Sequence, residues 1–325
     1  MLQYLVRRFL YAIPLLIAVN ILTFVLFFVV NSPDDMARMQ LGQKRVTEQA
    51  ISNWKHQHGY DLPLLINHEQ QGVRQLTETI FYQKSVNLFW FDFGISDSGR
   101  NIGSDISQRM WPSLALALPS LLLGLLVNIS LALLIVFYRA TRTELTANVV
   151  LVILMSVSSL FYIIAGQFLI ARVLRWVPIS GYDLGWSGLK FLVLPVMISV
   201  ISGIGAGVRW YRSLFLEEVE RDYVRTARAK GLNETAILFK HVLRNALIPI
   251  LTGVVVILPL LFMGSLIMES FFSIPGLGSY TIDAINRQDF AIVRSMVFLG
   301  SVLYIFGLIL TDISYTLVDP RVRLN

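Results

Sequence analysis

Six long apolar runs, separated by polar segments, dominate the sequence. A helix of about 20 predominantly apolar residues crosses a bilayer core of about 30 Å, and each run has about this length. The runs end at charged, proline, glycine or aromatic residues, which are typical of helix ends and membrane interfaces. The pattern predicts an all-α polytopic membrane protein with six transmembrane helices and both termini on one side. The predicted spans are residues 9–30, 112–138, 148–171, 191–208, 248–268 and 295–317.

The first apolar run directly follows Arg7 and Arg8. Basic residues before an apolar stretch also occur in secretory signal peptides. This stretch is longer than a signal-peptide core, however, and no small-residue cleavage site follows it. We interpret it as a retained membrane anchor.

Lysine and arginine indicate which side faces the cytoplasm. If the N-terminus is cytoplasmic, that side holds 14 Lys and Arg and the other side holds 13. Eight of those 13 lie in the long segment 31–111, and long translocated segments are exempt from the positive-inside rule. The remaining distribution of 14 against 5 predicts that both termini are cytoplasmic.

The segment 31–111 would then be an extended periplasmic loop. Residues 46–60 have helical spacing, residues 61–63 (Asp-Leu-Pro) form a stop, and residues 87–94 are rich in aromatic side chains. Such a segment is either a small lid or docking platform, or a solvated connector with one stabilising helix. The sequence leaves both alternatives open.

A second polar segment, residues 209–247, lies on the predicted cytoplasmic side. Residues 214–230 favour a helix, and Gly231 can adopt the left-handed conformation that ends it. Asn233 can cap a second helix over residues 234–246. The segment is therefore predicted to be a helical hairpin between two transmembrane helices.

One face of the first hairpin helix is small and nearly smooth, because Val224, Ala227 and Gly231 share it. Small residues let another protein approach closely, and flanking charges fix the register. The hairpin is therefore suited to transmit a movement of a soluble partner to the two transmembrane helices that it joins. A basic hairpin lying on anionic lipid headgroups is the alternative.

The amino-acid composition excludes or disfavours several classes of function. Only 15% of the residues are charged, against about 25% in soluble domains, so an ordinary soluble enzyme is excluded. The net charge of +6 sets membrane orientation rather than indicating a nucleic-acid partner. The chain has no cysteine and four scattered histidines, which disfavours a metal site.

No motif for chemistry on a nucleotide is present. A phosphate-binding loop requires Gly-Lys-Ser/Thr, whereas the glycine-rich residues 203–207 lie in a span with no such continuation. They are better explained by close helix packing. We therefore expect a transport subunit without catalytic residues, metal or cofactor of its own. Asn20, Asn128 and Gln167 within the spans are expected to hydrogen-bond between helices.

The hairpin carries the string DYVRTARAKGL at residues 222–232, followed by HVLRNALIP at 241–249. These strings resemble the characteristic loop of ABC-importer permeases, in the form carried by dipeptide, oligopeptide and nickel permeases. The resemblance covers the whole chain and is closest to the B-type permease subunit of peptide importers. It is also carried by residues 5–24, 176–182, 269–290 and 312–325.

This resemblance implies a type I ABC-importer permease fold, with a cytoplasmic coupling hairpin, in the bacterial inner membrane. The implied partners are a second homologous permease, two cytoplasmic ATPase subunits that bind ATP and Mg²⁺, and a periplasmic substrate-binding protein. The implied ATPase-coupling segment consists of Asp222, Tyr223, Val224, Arg225, Thr226, Ala227, Arg228, Ala229, Lys230, Gly231 and Leu232.

The coupling segment departs from the general importer consensus at one position. That consensus begins Glu-Ala-Ala, with Gly four residues after the second Ala, whereas residues 225–227 here are Arg-Thr-Ala, followed by Gly231. Arg225 cannot make the ion pair with the ATPase that the missing Glu implies. Asp222 and Glu220 are the candidate replacements.

Residues 269–278 are the candidate outer gate. Pro275, Gly276 and Gly278 are expected to break the helix and turn the chain just after the fifth span. The resemblance implies a short re-entrant or interfacial piece there, and a tight connector is the alternative. Glu269 is either a contact for a peptide amine in the pathway or a cap or salt bridge at the interface.

We divide the chain into residues 1–30 (the N-terminal end and first helix), 31–111 (the periplasmic loop subdomain) and 112–325 (the permease core). The resulting hypothesis is a permease subunit of an ATP-driven importer of di- or oligopeptides, forming half of the pathway. Nickel complexes, glutathione or antimicrobial peptides are alternative substrates. An ion-coupled secondary transporter is a more remote alternative, since no internal repeat or paired intramembrane acid is evident.

Overall fold

The computed structural model describes residues 2–42 and 46–318, and in this part of the chain the structure is helical. The only strand-like pairing there is an isolated bridge between Ile95 and Asn101. The predicted all-α class is therefore confirmed. The α-helices are α1 (Leu2–Phe24), α2 (Pro33–Leu41), α3 (Glu48–His58), α4 (Arg74–Thr77), α5 (Ile80–Lys84), α6 (Ile102–Phe137), α7 (Arg142–Ser156), α8 (Ser159–Gly166), α9 (Leu189–Val219), α10 (Asp222–Ala229), α11 (Glu234–Ala236), α12 (Leu243–Ile257), α13 (Leu266–Phe272), α14 (Leu277–Arg287) and α15 (Phe290–Val318).

Several α-helices continue in wider or tighter helical turns. The π-helical segments are Val25–Val30, Gln167–Val173 and Ile237–Val242, and the 3₁₀ segments are Val86–Trp90, Trp186–Gly188 and Leu258–Met263. Among the residues that the structure describes, five continuous stretches are long and apolar enough to cross a membrane, namely Arg7–Val30, Ile102–Phe137, Trp186–Val219, Glu234–Met263 and Phe290–Ser314.

The third predicted span is not one straight helix. Arg142–Ser156 and Ser159–Val173 meet at an angle of 87° and count as a sixth span only if taken together. The chain leaves the helix at Val157, whose backbone is extended. The Tyr162 hydroxyl donates a hydrogen bond of 2.9 Å to the Leu154 carbonyl, which the break would otherwise leave open. The span predicted at residues 148–171 is therefore a bent pair of helices in the structure.

The described chain forms two compact units. The first contains the residues up to Arg109 together with Tyr280–Ile309, and the second contains Met110–Ser279 and the continuation of α15 from Leu310. The division at residues 30 and 111 stays a prediction, since it concerns sides of a membrane that the structure does not contain.

In the first unit, the end of α1 packs with α2 and α3 around an aromatic core. Thr47 caps α3, which ends at Gly59 with φ of +66° and so confirms the helix predicted at residues 46–60. Because segment 31–111 contributes several helices and a buried core, it is not a solvated connector with a single helix. The core residues are Phe24, Phe28, Met36, Ala37, Ile51, Trp54, Tyr60 and Ile80.

The second unit has an apolar cluster near each end of its long helices. One cluster joins the C-terminal parts of α6 and α9 to α10 and the start of α12, and it includes Val136, Phe215 and Val242. The other joins the N-terminal parts of α6 and α9 to α13, and it includes Leu116, Leu194 and Phe272. The 209–247 hairpin and the predicted gate residues therefore lie at opposite ends of the same bundle.

Candidate functional site

The 209–247 hairpin is shorter than the sequence pattern indicates. Helix α9 continues to Val219, the chain turns at residues 220–221, and α10 covers only Asp222–Ala229. The predicted helix over 214–230 is therefore wrong. It is two helices, because α9 runs on past the apolar span and the turn follows it. The second predicted hairpin helix continues through π-helical turns into α12.

The residues predicted to close the hairpin do so. Gly231 has φ of +79°, and a Cβ added there would have open space, so the backbone conformation and not crowding requires glycine. The Asn233 side chain accepts a hydrogen bond of 2.8 Å from the Ala236 backbone N–H, which caps the next helix as predicted.

The smooth face of α10 points into its own protein. Val224 is 0% exposed and Ala227 is 4% exposed, and both pack in the apolar cluster with Phe215, Ile237 and Val242. The hypothesis that a partner approaches this face is therefore wrong for Val224 and Ala227, whereas Gly231 is exposed after the end of α10. Burying these two side chains instead ties α10 rigidly to the ends of the long helices.

The outward side of α10 carries the groups that remain available. Its exposed residues are Asp222, Arg225, Thr226 and Ala229, and the exposed residues Lys230, Gly231 and Leu232 follow the helix. The Asp222 carboxylate is a weak ion-pair partner of Arg225, at 3.4 Å, and its side chain is 96% exposed. Glu220, the other candidate for the missing consensus Glu, is also exposed.

Two polar contacts hold α10 in place from its sides. Arg228 donates to both carboxylate oxygens of Glu234, at 2.7 and 3.2 Å, and so closes the hairpin across the turn. The Tyr223 hydroxyl donates to the Glu218 carboxylate at the end of α9. Burial, followed by the bond to Glu218, raises the pKa of Tyr223 to about 12, so it remains a donor.

At the opposite end of the second unit, Glu269 on α13 organises residues 264–279, which we call the 264–279 segment. Its side chain is 0% exposed. It accepts backbone N–H bonds from Ser265 at 3.2 Å and Ser279 at 3.0 Å, and further bonds from the Gly278 backbone and the Ser113 hydroxyl. Burial raises the pKa of Glu269, and these hydrogen bonds oppose the shift.

Of the two roles considered for Glu269, the geometry favours the cap. A carboxylate without exposed surface that already accepts several hydrogen bonds has little capacity for a peptide amine. It holds together both ends of the segment, because Ser265 precedes α13 and Ser279 lies in α14. The Ser113 hydroxyl also accepts a 2.8 Å bond from the Leu277 backbone N–H, and this tie was not predicted.

Gly276 and Gly278 both allow close approach, but only Gly276 lies in the break between α13 and α14. Neither Gly276 nor Gly278 has positive φ, and Gly278 lies within α14. A Cβ on Gly276 would overlap the Glu269 carboxylate, and one on Gly278 would lie 2.6 Å from the Ser265 carbonyl carbon. The chain turns at Ser273, with φ of +55°, two residues before exposed Pro275. The predicted helix break is therefore present at residues 273–276 and includes Gly276, while the helix-breaking role predicted for Gly278 is wrong.

The first unit contains a charged cavity that the sequence did not indicate. Its volume is about 280 Å³, and Arg100, Arg109, Asp283, Arg287 and Asp289 are among its lining residues. The Asp97 backbone N–H donates to the Asp289 carboxylate at 3.1 Å. Burial, followed by the Asp289 charge, raises the pKa of Asp97 to about 6. These residues are far apart in sequence, so no local pattern reveals the cluster.

The spans' polar residues have mostly loop partners. Asn20 donates to the Ser85 carbonyl at 3.0 Å, and Gln167 donates to the carbonyls of Ile179 and Phe271 at 3.3 and 3.1 Å. The expectation of helix-to-helix bonds is therefore wrong for Asn20, since Ser85 follows α5 at a turn. It is confirmed for Gln167, because Phe271 lies in α13.

The sequence pattern of the binding-protein-dependent transport system inner membrane component family matches residues 129–324, which include the whole hairpin. The corresponding N-terminal pattern matches residues 1–89. The chain belongs to this family. It is therefore a membrane transport component, and the resemblance noted for residues 222–249 is confirmed.

Similar family members match along their full lengths. A Brucella abortus protein, provisionally named as a peptide transport system permease, is 33% identical, with 98% of each chain covered. The glutathione transport system permease of Shigella flexneri is 30% identical, with 99% of each chain covered. The dipeptide transport system permease of Bacillus subtilis is 28% identical, with 100% of this chain and 99% of that protein covered.

Proposed function

We propose that this chain is one half of the transmembrane pathway of an ATP-driven importer of short peptides. The observation that carries this proposal is the match to permeases of named peptide systems along the full length of the chain. The fold agrees with this proposal. One side of α10 is packed against the ends of the long helices and the other side is exposed, so a partner bound to the exposed side can move those helices. Nickel complexes and antimicrobial peptides remain alternative cargo, and the glutathione relative supports a tripeptide as a third.

The hairpin end of the second unit faces the cytoplasm in this proposal, with both termini on that side of the bacterial inner membrane. The charge distribution of 14 against 5 supports this orientation. The 14 include Arg225 and Lys230, which are exposed in and just after α10. The 264–279 segment then faces the periplasm.

The partners are a second homologous permease, two ATPase subunits and an external binding protein. The ATPase subunits bind ATP and Mg²⁺ and dock on the exposed side of α10, from Asp222 to Leu232. A partner shifts a conformational equilibrium only if it binds the two states with different affinity. Here the ATPase shifts the equilibrium of the permease through α10. Val224 and Ala227 are packed in one cluster with residues of α9 and α12, so movement of α10 moves those helices.

The test is uptake of labelled trialanine into proteoliposomes that hold this chain, its second permease and the ATPases. Binding protein loaded with trialanine is added outside, with ATP inside. We expect ATP-dependent accumulation and stimulated hydrolysis. A complex that hydrolyses ATP but accumulates no peptide would contradict the substrate, and failure of the ATPases to associate would contradict the importer.

A further inference from the structure

Residues 85–91 of segment 31–111 lie beside two membrane helices of the first unit and not beyond their ends. Asn20 in α1 donates a hydrogen bond of 3.0 Å to the Ser85 carbonyl. The ring of Phe89 meets that of Phe298 in α15 edge to face, with centroids 5.4 Å apart. Both helices belong to stretches that are long and apolar enough to cross a membrane.

The level of these contacts follows from a pair of rings where the two helices meet. Phe27, in the π-helical continuation of α1, contacts Phe290 at the start of α15, with ring centroids 5.8 Å apart. Asn20 precedes Phe27 by seven residues, and Phe298 follows Phe290 by eight. At about 1.5 Å per residue, both contacts lie about 10–12 Å from this pair, towards the middle of the helices. The two distances agree and place residues 85–89 beside the apolar parts of α1 and α15.

The outer surface of the two helices is apolar at this level. Ile21 and Leu22 in α1 are 46% and 60% exposed, and Val297 in α15 is 41% exposed. Arg294, one turn before Phe298, is 3% exposed and lies over the Phe28 ring at 5.2 Å. Its charge therefore faces the interior of the unit. An apolar exterior of this kind marks a surface that faces lipid or another protein.

Residues 85–91 present two large aromatic side chains to these surroundings. Ser85 and Leu88 are 0% and 1% exposed and fix the stretch to the unit, whereas Trp90 is 79% and Phe91 is 56% exposed. Helix contacts inside membranes are enriched in small residues. Tryptophan is enriched instead where a membrane meets water, and the exposed acid Asp92 follows directly. The two rings therefore fit lipid better than a closely packed second permease.

We propose that residues 85–91 form a re-entrant element that inserts into one leaflet of the bilayer, with the side chains of Trp90 and Phe91 in contact with lipid acyl chains. In the orientation proposed above this is the periplasmic leaflet. The inference requires only that α1 and α15 cross the membrane, and it is independent of the cargo and of the ATPases. It anchors segment 31–111 to the membrane between the first two spans.

The test places a nitroxide spin label on this element. The chain has no cysteine, so Trp90→Cys gives it a single thiol, at a side chain exposed enough for the exchange to leave the fold intact. The control Ser98→Cys labels an exposed residue of the same segment. Its neighbour Asp97 bonds to Asp289, which precedes α15. Each variant is reconstituted in phosphatidylglycerol and phosphatidylcholine vesicles, alone and with its partner subunits, and the labelled wild-type complex gives the background.

The readout is the collision rate of the label with oxygen, which concentrates among acyl chains, relative to a neutral nickel chelate, which stays in water. We expect this ratio to be several-fold higher at position 90 than at position 98, in the chain alone and in the complex. An equally low ratio at both positions would place the element in water and overturn the proposal. A label that collides with oxygen in the chain alone, and with neither probe in the complex, would assign the surface to the second permease and also overturn it.

A second measurement compares the depth of the element with that of α1. Leu22→Cys labels an exposed residue two positions from Asn20. With a bimane fluorophore on each thiol, we expect lipids that carry a nitroxide on the acyl chain to quench positions 90 and 22 to a similar extent, and position 98 several-fold less. Quenching at position 90 as weak as that at position 98 would contradict the insertion. Neither readout uses peptide uptake, so failure of the proposed function would leave this result standing.

Discussion

The two ends of the second unit use acidic residues in opposite ways. In the 264–279 segment the carboxylate of Glu269 is fully buried and accepts several hydrogen bonds from the chain around it. In the hairpin, apolar Val224 and Ala227 provide the burial, while the acids pair with arginines at the surface. The first end is therefore fixed internally, and the second leaves charged groups for another protein.

Removing the buried acceptor is expected to have the largest effect. Glu269→Leu leaves the backbone N–H groups of Ser265, Gly278 and Ser279 without their acceptor, and each unsatisfied buried group costs about 1–3 kcal/mol. The melting temperature of the purified complex, followed by tryptophan fluorescence, should fall strongly. The control Glu217→Leu removes an acidic side chain that is 65% exposed, and the melting temperature should remain nearly unchanged. Equal effects would contradict the internal role of Glu269.

The second prediction compares two alanines of α10. Ala227 is 4% exposed, so Ala227→Leu overpacks the cluster and should cost about 1–3 kcal/mol. Ala229 is exposed, so Ala229→Leu should leave the melting temperature unchanged and weaken ATPase association instead. Thermal melting and copurification of the ATPase separate the two outcomes. Destabilisation by Ala229→Leu alone would reverse the assignment of the two faces.

The third prediction compares two glycines that have positive φ and open space around them. Gly231 has φ of +79° and Gly72 has φ of +68°. Replacement by alanine should cost each site about 1 kcal/mol through backbone strain. Only Gly231→Ala should also lower the number of peptides imported per ATP hydrolysed. A similar loss with Gly72→Ala would show that this ratio reports stability and not coupling.

The smallest effect concerns the ion pair that closes the hairpin. Side chains of Arg228 and Glu234 are 31% and 50% exposed, and such surface pairs contribute about 0–1 kcal/mol. Arg228→Gln should therefore change melting by a degree or two, and the difference should shrink at high salt because the pair is screened. A large change that is insensitive to salt would place Arg228 among the buried supports of the hairpin.

The sequence predicted the elements that depend on local patterns. The apolar runs located the membrane helices. The helix predicted at residues 46–60 is present, with Thr47 as its N-cap and Gly59 as its C-cap. Gly231 and Asn233 close the hairpin. These features are set by periodicity and by the conformational preferences of single residues.

What the sequence could not predict depends on tertiary neighbours. The inward direction of Val224 and Ala227 follows from the position of the π-helical segment Ile237–Val242, which begins eight residues after α10 ends. The carboxylate of Glu269 is satisfied partly by Ser113, and the Asp97 backbone bonds to Asp289, both across long sequence separations. Residues 319–325, which carry part of the C-terminal resemblance, lie outside the described residues.

The most direct test of the account concerns the exposed face of α10. In a chain without cysteine, Thr226→Cys places one thiol on that face, and Ser98→Cys places one on an exposed residue of segment 31–111. A thiol-linked photo-crosslinker is attached to each in the assembled transporter. The account predicts a covalent product between the ATPase and the Thr226→Cys chain, with none from Ser98→Cys. A product from Ser98→Cys alone, or from neither variant in a complex that hydrolyses ATP, would contradict it.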